Sequence, residues 1–449
     1  MPRSDVTLQE IRSLIGKILA EKAPEGSFEA GQTFFQEGLG GVTLDRELAL
    51  TYNRILESLS PDEGTPSARS RASTDSLLQE CILKALDIVE KQKGKELDAR
   101  IVCAFGEMMS KLQSKPVQWQ VWCAVDRLTV PDDGFQFGRI LFCKANYIET
   151  AKAQAMTADI IASCPDPAHA GKQSNIWTDD FVKGTLCKIL VTAHDSEAAR
   201  ELADVEFETT FAVLNFFGSV VIHTRFLPIV CAQGDAPPHN VTRLVLEENH
   251  QSFRTCNSVH RYNIPFDLTV FDKNPPIKAA LLRASALLEG QGETAYRERI
   301  VTAMKWAGKG AVAQSAENSF LFYAIALEGL ILGRKHHEQL AYKLRLRVAH
   351  LLGLTSKGRT TVRDRVRDMY NLRSKIAHTG RTEIPKSDLS FLQDITRSAI
   401  LHLLIDDKLN KIVTDETLER WFEDRLITGD ESHLLSSAKN DRDPSTSSG

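Results

Sequence analysis

Apolar residues recur every three to four positions over most of this chain and alternate with polar ones in only a few short runs, which predicts a predominantly helical α+β protein. Residues 5–60 read as two or three amphipathic helices, the first carrying Leu8, Ile11, Ile15, Ile18 and Leu19 on one stripe. A polar breaker runs from Asp62-Glu63-Gly64-Thr65-Pro66 to Thr74 and is expected as a linker. Helical periodicity returns over 75–113. The period then switches to two, with Val117, Trp119, Val121, Cys123 and Val125 alternating with Gln118, Gln120, Trp122, Ala124 and Asp126, the mark of a half-buried strand. Phe137 to Lys144 is the expected hairpin partner, across Pro131-Asp132-Asp133-Gly134.

Thr185 to Thr192 reads as a second strand, leading into a helix that Asp195 or Ser196 caps and that runs to about Phe217. Val220–Cys231 is another apolar run, and Asn240–Leu268 reads as strand and loop. From Pro275 onward only helices are expected, near 277–289, 293–309, 316–333, 336–352, 359–379, 386–406 and 414–427. This divides the chain into a helical segment over 1–61, a linker over 62–74 and an α+β region of unknown fold over 75–290. A helical domain over 291–428 follows, then a tail over 429–449 that is almost devoid of apolar residues and is expected to be disordered.

The 449 residues carry 55 basic and 59 acidic side chains, a net charge of −4, so the chain as a whole is no basic nucleic-acid binder. Its distribution changes that picture. From Arg334 to Arg381 there are 13 Lys and Arg against Glu338, Asp364 and Asp368, a local excess of +10 able to attract phosphate. A pair of solvated helix faces is the plainer alternative. The eight cysteines lie 16 or more residues apart with no C-x-x-C pair, so no zinc or redox motif is read. The N-terminus has a Thr7-x-x-Glu10 capping box and no signal-peptide run, and the longest apolar stretch, Ala324–Leu332, is broken by Glu328. A reduced, cytoplasmic protein without a membrane partner is the consistent expectation.

Arg-x4-6-His occurs five times: Arg243/His250, Arg254/His260, Arg345/His350, Arg373/His378 and Arg397/His402. Chance supplies about two such matches in a chain of this composition, so context has to select. His350 and His402 sit among leucines and read as packing or capping residues. The first two pairs fall in a strand-rich region. His378, in contrast, ends a helical run with Gly380 placed for the left-handed cap, where the helix dipole favours the imidazolium and so a proton donor. A degenerate, structural copy of the motif is the alternative.

Tyr370-Asn371-Leu372-Arg373-Ser374-Lys375-Ile376-Ala377-His378-Thr379-Gly380, taken with Ala326-Leu327-Glu328-Gly329-Leu330 upstream, resembles the active-site signature of HEPN ribonuclease domains of the Apea-like kind found in bacterial defence proteins. The resemblance covers roughly 296–410. It implies a helical bundle that pairs with a second copy, so that both Arg/His motifs line one groove. It also implies metal-free RNA cleavage without a cofactor: the 2′-hydroxyl attacks the adjacent phosphorus and leaves a 2′,3′-cyclic phosphate and a 5′-hydroxyl. His378 then moves the protons and Arg373 holds the phosphate. Ser374 orients the imidazole or the phosphate. Glu328, a charge interrupting an apolar face, pairs with Arg373, Lys375 or a helix end, or else faces solvent. Tyr370 and Asn371 are supporting residues of the motif, and Arg359, Arg363, Arg367, Lys375 and Arg381 are candidate RNA contacts.

The expected partners are RNA, a second copy of the chain, and a regulatory protein or phage-derived trigger acting on the upstream residues. The competing reading is a catalytically silent HEPN module that dimerises or binds nucleotides or RNA as a sensor or scaffold. Gly308-x-Gly310-x-x-Ala313 has the spacing of a dinucleotide fingerprint but follows a helix, where that fingerprint needs a strand. His336-His337 is read as a solvated helix end in preference to a metal site.

Overall fold

The computed structural model describes residues 4–20, 32–36, 40–44, 46–60, 69–87, 97–144, 146–162, 184–222, 229–233, 235, 240–246, 253–259, 266–332, 340–379, 383–406, 408–409 and 411–428. The described part is predominantly helical with a small sheet. No described helix is long and apolar enough to cross a membrane. The chain forms two compact units, one of residues 1–121 with 189–206, the other of 122–188 with 207–449.

The first unit contains α1 (Ser4–Ala20), a hairpin of β1 (Gln32–Gln36) and β2 (Gly40–Leu44), α2 (Arg46–Leu59), α3 (Arg71–Asp87) and α4 (Leu97–Leu112). Ile11, Leu14 and Ile15 of α1 share one core with Tyr52 and Ile55 of α2, Leu78 and Ile82 of α3, and Phe105 and Met108 of α4. Helices on either side of the expected linker therefore bury their apolar stripes against each other, and 62–74 does not separate two cores. Part of that linker is ordered. Helix α3 begins at Arg71, and buried Ser70 gives its hydroxyl and its N–H to the Asp195 carboxylate (2.9 and 3.2 Å) while accepting the Ser73 N–H at 3.0 Å. Residues 61–68 lie outside the described part, as does the tail from 429.

The five-stranded sheet has the order β5-β6-β7-β3-β8, built from β3 (Val117–Asp126), β5 (Phe135–Phe137), β6 (Ile140–Lys144), β7 (Thr185–Ala193) and β8 (Cys231–Ala232). The expected hairpin between 117–126 and 137–144 does not form. Arg127 takes a left-handed φ of 60°, which ends β3, and the next two residues, β4 (Leu128–Thr129), pair in parallel with β11 (Phe266–Asp267). With β7 and β8 on its two sides, β3 has no free edge for Phe137–Lys144. Phe137 belongs to β5, and the rest of that segment, Ile140–Lys144, pairs with β5 across the turn at Gly138 and with β7. Gly138 has φ 57°, and a Cβ there would meet the Leu288 Cβ at 2.6 Å, so both backbone and space demand glycine. A separate hairpin joins β9 (Asn240–Leu246) to β10 (Phe253–Val259). Helix α5 (Ile148–Ala162) follows the β5–β6 hairpin, and α6 (Ser196–Val221) starts on Asp195, whose carboxylate accepts the Ala198 N–H at 2.8 Å.

The helical C-terminal part runs α7 (Pro275–Glu289), α8 (Thr294–Val312), α9 (Ala316–Leu332), α10 (Leu340–Leu352), α11 (Ser356–Thr379), α12 (Lys386–Ile405) and α13 (Asp415–Thr428), close to the periodicity-based boundaries. Its compact unit extends beyond 291–428 to take in residues 122–188, with part of the five-stranded sheet, and most of α6. Helix α9 is its axis. Packed against α8, α10, α11 and α12, it buries Phe320, Tyr323, Leu327, Leu330 and Ile331. The Gly308/Gly310 pair lies inside α8, where added Cβ atoms would come within 1.8 Å of the Ala212 carbonyl oxygen and 2.8 Å of the Tyr323 ring. These glycines let helices approach closely, so the fingerprint spacing is a packing feature.

Candidate functional site

Helix α11 has a narrow apolar stripe. Only Val366, Met369 and Ile376 are buried along its length, and Arg373 falls on the same stripe, three residues before Ile376 and four after Met369. A cation on a core-facing stripe must find a partner. The partner is Glu328 on α9: Arg373 Nε lies 3.4 Å from Glu328 Oε1, with the two side chains 33% and 23% exposed. Burial pushes the Glu328 carboxyl above its ordinary range, and the Arg373 guanidinium pulls part of that shift back. Of the partners considered for this glutamate, the structure selects Arg373.

His378 occupies the last turn of α11, which ends at Thr379. It is exposed and makes no hydrogen bond or ion pair with the described residues. At about 100° per residue, five positions turn the helix by roughly 140°, so Arg373 and His378 point to different sides of α11. Asn371 and Lys375 share the exposed stripe of His378, and half-buried Tyr370 and Ser374 border it. The structure thus gathers Tyr370, Asn371, Ser374, Lys375 and His378 on one side, and Arg373 with Glu328 on the other. Gly380 and Arg381 lie outside the described residues.

Several of these basic side chains have partners of their own. Arg363 pairs with Asp364 at 2.9 Å and Arg367 with Asp368 at 3.3 Å; Arg365 reaches Asp388 at 3.3 Å and stacks over Phe391 with 4.3 Å to the centroid. Arg345 lies over Tyr342 at 5.0 Å. Arg359 is half-buried against the Gly353 turn. Lys357 and Lys375 are exposed.

Arg347 is 2% exposed and belongs to a centre that the sequence reading missed. It donates to the Ile331 carbonyl at 3.0 Å and sits 2.9 Å from Glu419 of α13. Beside it Arg299 of α8 donates to the Leu330 carbonyl at 2.6 Å, to Asp415 at 2.7 Å and to Glu419 at 2.6 Å. Both guanidiniums lie over the Phe422 ring, at 6.0 and 5.1 Å. Leu330 and Ile331 are in the last turn of α9, whose carbonyls have no partner within the helix. Two arginines therefore cap the helix that carries Glu328. A signal existed: Arg299 sits between Tyr296 and Ile300, and Arg347 between Leu344 and Val348, each at an apolar position of its helix.

Of the other Arg/His matches, His250 and His260 lie outside the described residues. His350 is half-buried. His402, expected in the core among its leucines, is exposed: Leu403 and Leu404 face inward and the histidine falls on the opposite side of α12. Its companion Arg397 turns inward instead, donating to Ser219 Oγ and the Tyr323 hydroxyl, both at 3.2 Å. Among the described residues no group of three or more His, Cys, Asp or Glu side chains is arranged to hold a metal ion. In comparisons with known proteins the chain matches no family model, no curated protein and no solved structure.

Proposed function

We propose that this protein is a metal-independent endoribonuclease of the HEPN type, acting in the cytoplasm as an anti-phage or stress-response effector. The observation that carries this reading is the Glu328–Arg373 pair across α9 and α11, with an uncommitted His378 one and a half turns further along the same helix. An exposed histidine at the end of α11 suits proton transfer to a leaving 5′-oxygen. Arg373, permanently charged and planar, suits the phosphate, with Glu328 fixing its direction. Ser374, one turn before His378, is placed to orient the imidazole, and Asn371 and Lys375 flank it on the RNA-facing side.

Because Arg373 and His378 diverge around α11, one copy offers only half a site to any one phosphate. The reading therefore takes the active unit to be a homodimer in which two α11 helices face one RNA strand. The residues before 291 serve in it as a sensing or restraining region.

A second reading is favoured by the same pair: with Arg373 on the buried stripe and tied to Glu328, the bundle would be a catalytically silent module for dimerisation or for RNA or nucleotide binding. Rates of RNA cleavage in EDTA decide between them. The nuclease reading expects undiminished cleavage by the wild type and losses of about 10²–10⁴-fold in Arg373→Ala and His378→Ala, with His350→Ala and His402→Ala retaining activity. RNA binding without cleavage in any condition establishes the silent module.

A further inference from the structure

We propose that Cys123 and Cys187 form a redox-active thiol pair that closes to a cross-strand disulfide when the protein meets a hydroperoxide. The two residues are 64 positions apart in sequence, which is why spacing alone gives no redox motif. The sheet brings them together. Strands β3 and β7 are hydrogen-bonded neighbours. Lys188 on β7 lies over the Trp122 ring of β3 at 5.4 Å, Leu186 packs with Ala124, and Gly184 lies beside the Val125 carbonyl. As the number rises on one strand it falls on the other, so the strands run antiparallel and Cys123 stands opposite Cys187. Opposed residues in such a ladder have Cα atoms about 4.5–5.5 Å apart, inside the range a disulfide needs. The two thiols interact directly.

The other two cysteines of this sheet are excluded by the same register. Cys143 faces Leu186 and packs with it and Ala124 on the opposite face of the sheet, its thiol 3.6 Å from the Thr150 hydroxyl. Cys231 stands opposite Asp126, three positions along β3.

Access divides the work. Cys123 is half-buried and can be reached from solvent, whereas Cys187 is fully buried beneath it, and burial raises its thiol well above the ordinary value. Cys123 is therefore the sulfur that meets the oxidant. Its sulfur attacks one peroxide oxygen: an S–O bond forms, the O–O bond breaks, and the alcohol leaves with the thiol proton. Cys187 then attacks the sulfenic sulfur: the S–S bond forms, the S–O bond breaks, and hydroxide leaves with the second thiol proton as water. Two thiols lose two electrons and the hydroperoxide gains them. The product ties β3 to β7 at the middle of the sheet.

The test treats the full chain with an equimolar organic hydroperoxide, alkylates the remaining thiols and maps peptides without reduction. The expected result is a mass loss of about 2 Da before alkylation, one linked peptide pair joining Cys123 to Cys187, and reversal by dithiothreitol. Cys187→Ser should leave a sulfenic acid on Cys123 that dimedone traps, and the double variant Cys143→Ser/Cys231→Ser should still close the bridge. If Cys187→Ser fails to fold, the wild-type peptide map alone decides. Complete alkylation of both residues after peroxide treatment, or a bridge to any other cysteine, overturns the proposal.

Discussion

Two arginine–glutamate centres stand at the two ends of one short stretch of α9, and they use the same chemistry to opposite effect. At Leu330 and Ile331, Arg299 and Arg347 are buried and share Glu419 with helix carbonyls and the Phe422 ring; three residues earlier, Glu328 meets Arg373 in a single long contact, with both side chains partly open to solvent. The density of partners separates a structural centre from a candidate site. A guanidinium buried among carboxylates and carbonyls is out of reach of a phosphate, while one held by a single carboxylate and partly open to solvent keeps a side of its fork accessible.

The comparison breaks most visibly at Glu419. Replacing it by alanine leaves two buried guanidiniums short of their main counter-charge and should cost about 3–5 kcal/mol in denaturant unfolding, lowering Tm by several degrees. A loss within experimental error would show that the clamp is not structural.

Asp195 provides an intermediate case, a carboxylate saturated by donors. Burial works to raise its pKa, but the Ala198 N–H and the Ser70 hydroxyl and N–H lower it further, and the net position is below the ordinary value. A depressed folded-state pKa contributes stability that is present above the unfolded value and lost as pH falls through the folded one. Asp195→Ala should therefore destabilise by about 1–2 kcal/mol at neutral pH, and the gap to wild type should narrow as pH is taken below about 4. A gap independent of pH would assign the effect to packing.

The smallest expected change in stability is at Glu328, whose raised pKa means that its charge is held at a cost near neutral pH. That cost is absent at pH below the unfolded value and grows as pH rises through the folded one. Glu328→Gln should leave Tm unchanged or slightly higher while cutting RNA cleavage about tenfold, since the arginine loses the charge that aims it. Lower stability together with unchanged cleavage would make Glu328 another structural residue.

The helices of the C-terminal part were legible in the sequence because apolar stripes and breakers such as Gly290 and Pro385 mark them within a few residues. The sheet was less so. Which strand takes β3 as its neighbour depends on a left-handed Arg127 and on β7, some sixty residues away, and neither leaves a local trace. For the site, periodicity placed Arg373 and His378 on one helix and their spacing already sets them about 140° apart, but which of the two turns toward the core is a phase that only packing sets. His402 shows the same limit: leucine neighbours suggested burial, yet one step around α12 puts the imidazole in solvent. The basic run between Arg334 and Arg381 was read as a phosphate-attracting surface, and the structure commits Arg363, Arg367, Arg365 and Arg347 of that run to Asp364, Asp368, Asp388 and Glu419.

The central claim is that the loosely held pair, with His378, cleaves RNA through the 2′-hydroxyl. The most direct measurement is the chemistry of fragment ends after total RNA is incubated with purified full-length protein in EDTA. The account predicts 2′,3′-cyclic phosphate and 5′-hydroxyl ends that disappear in His378→Ala. Fragments with 5′-phosphate ends, or cyclic-phosphate ends that persist in His378→Ala, would contradict it.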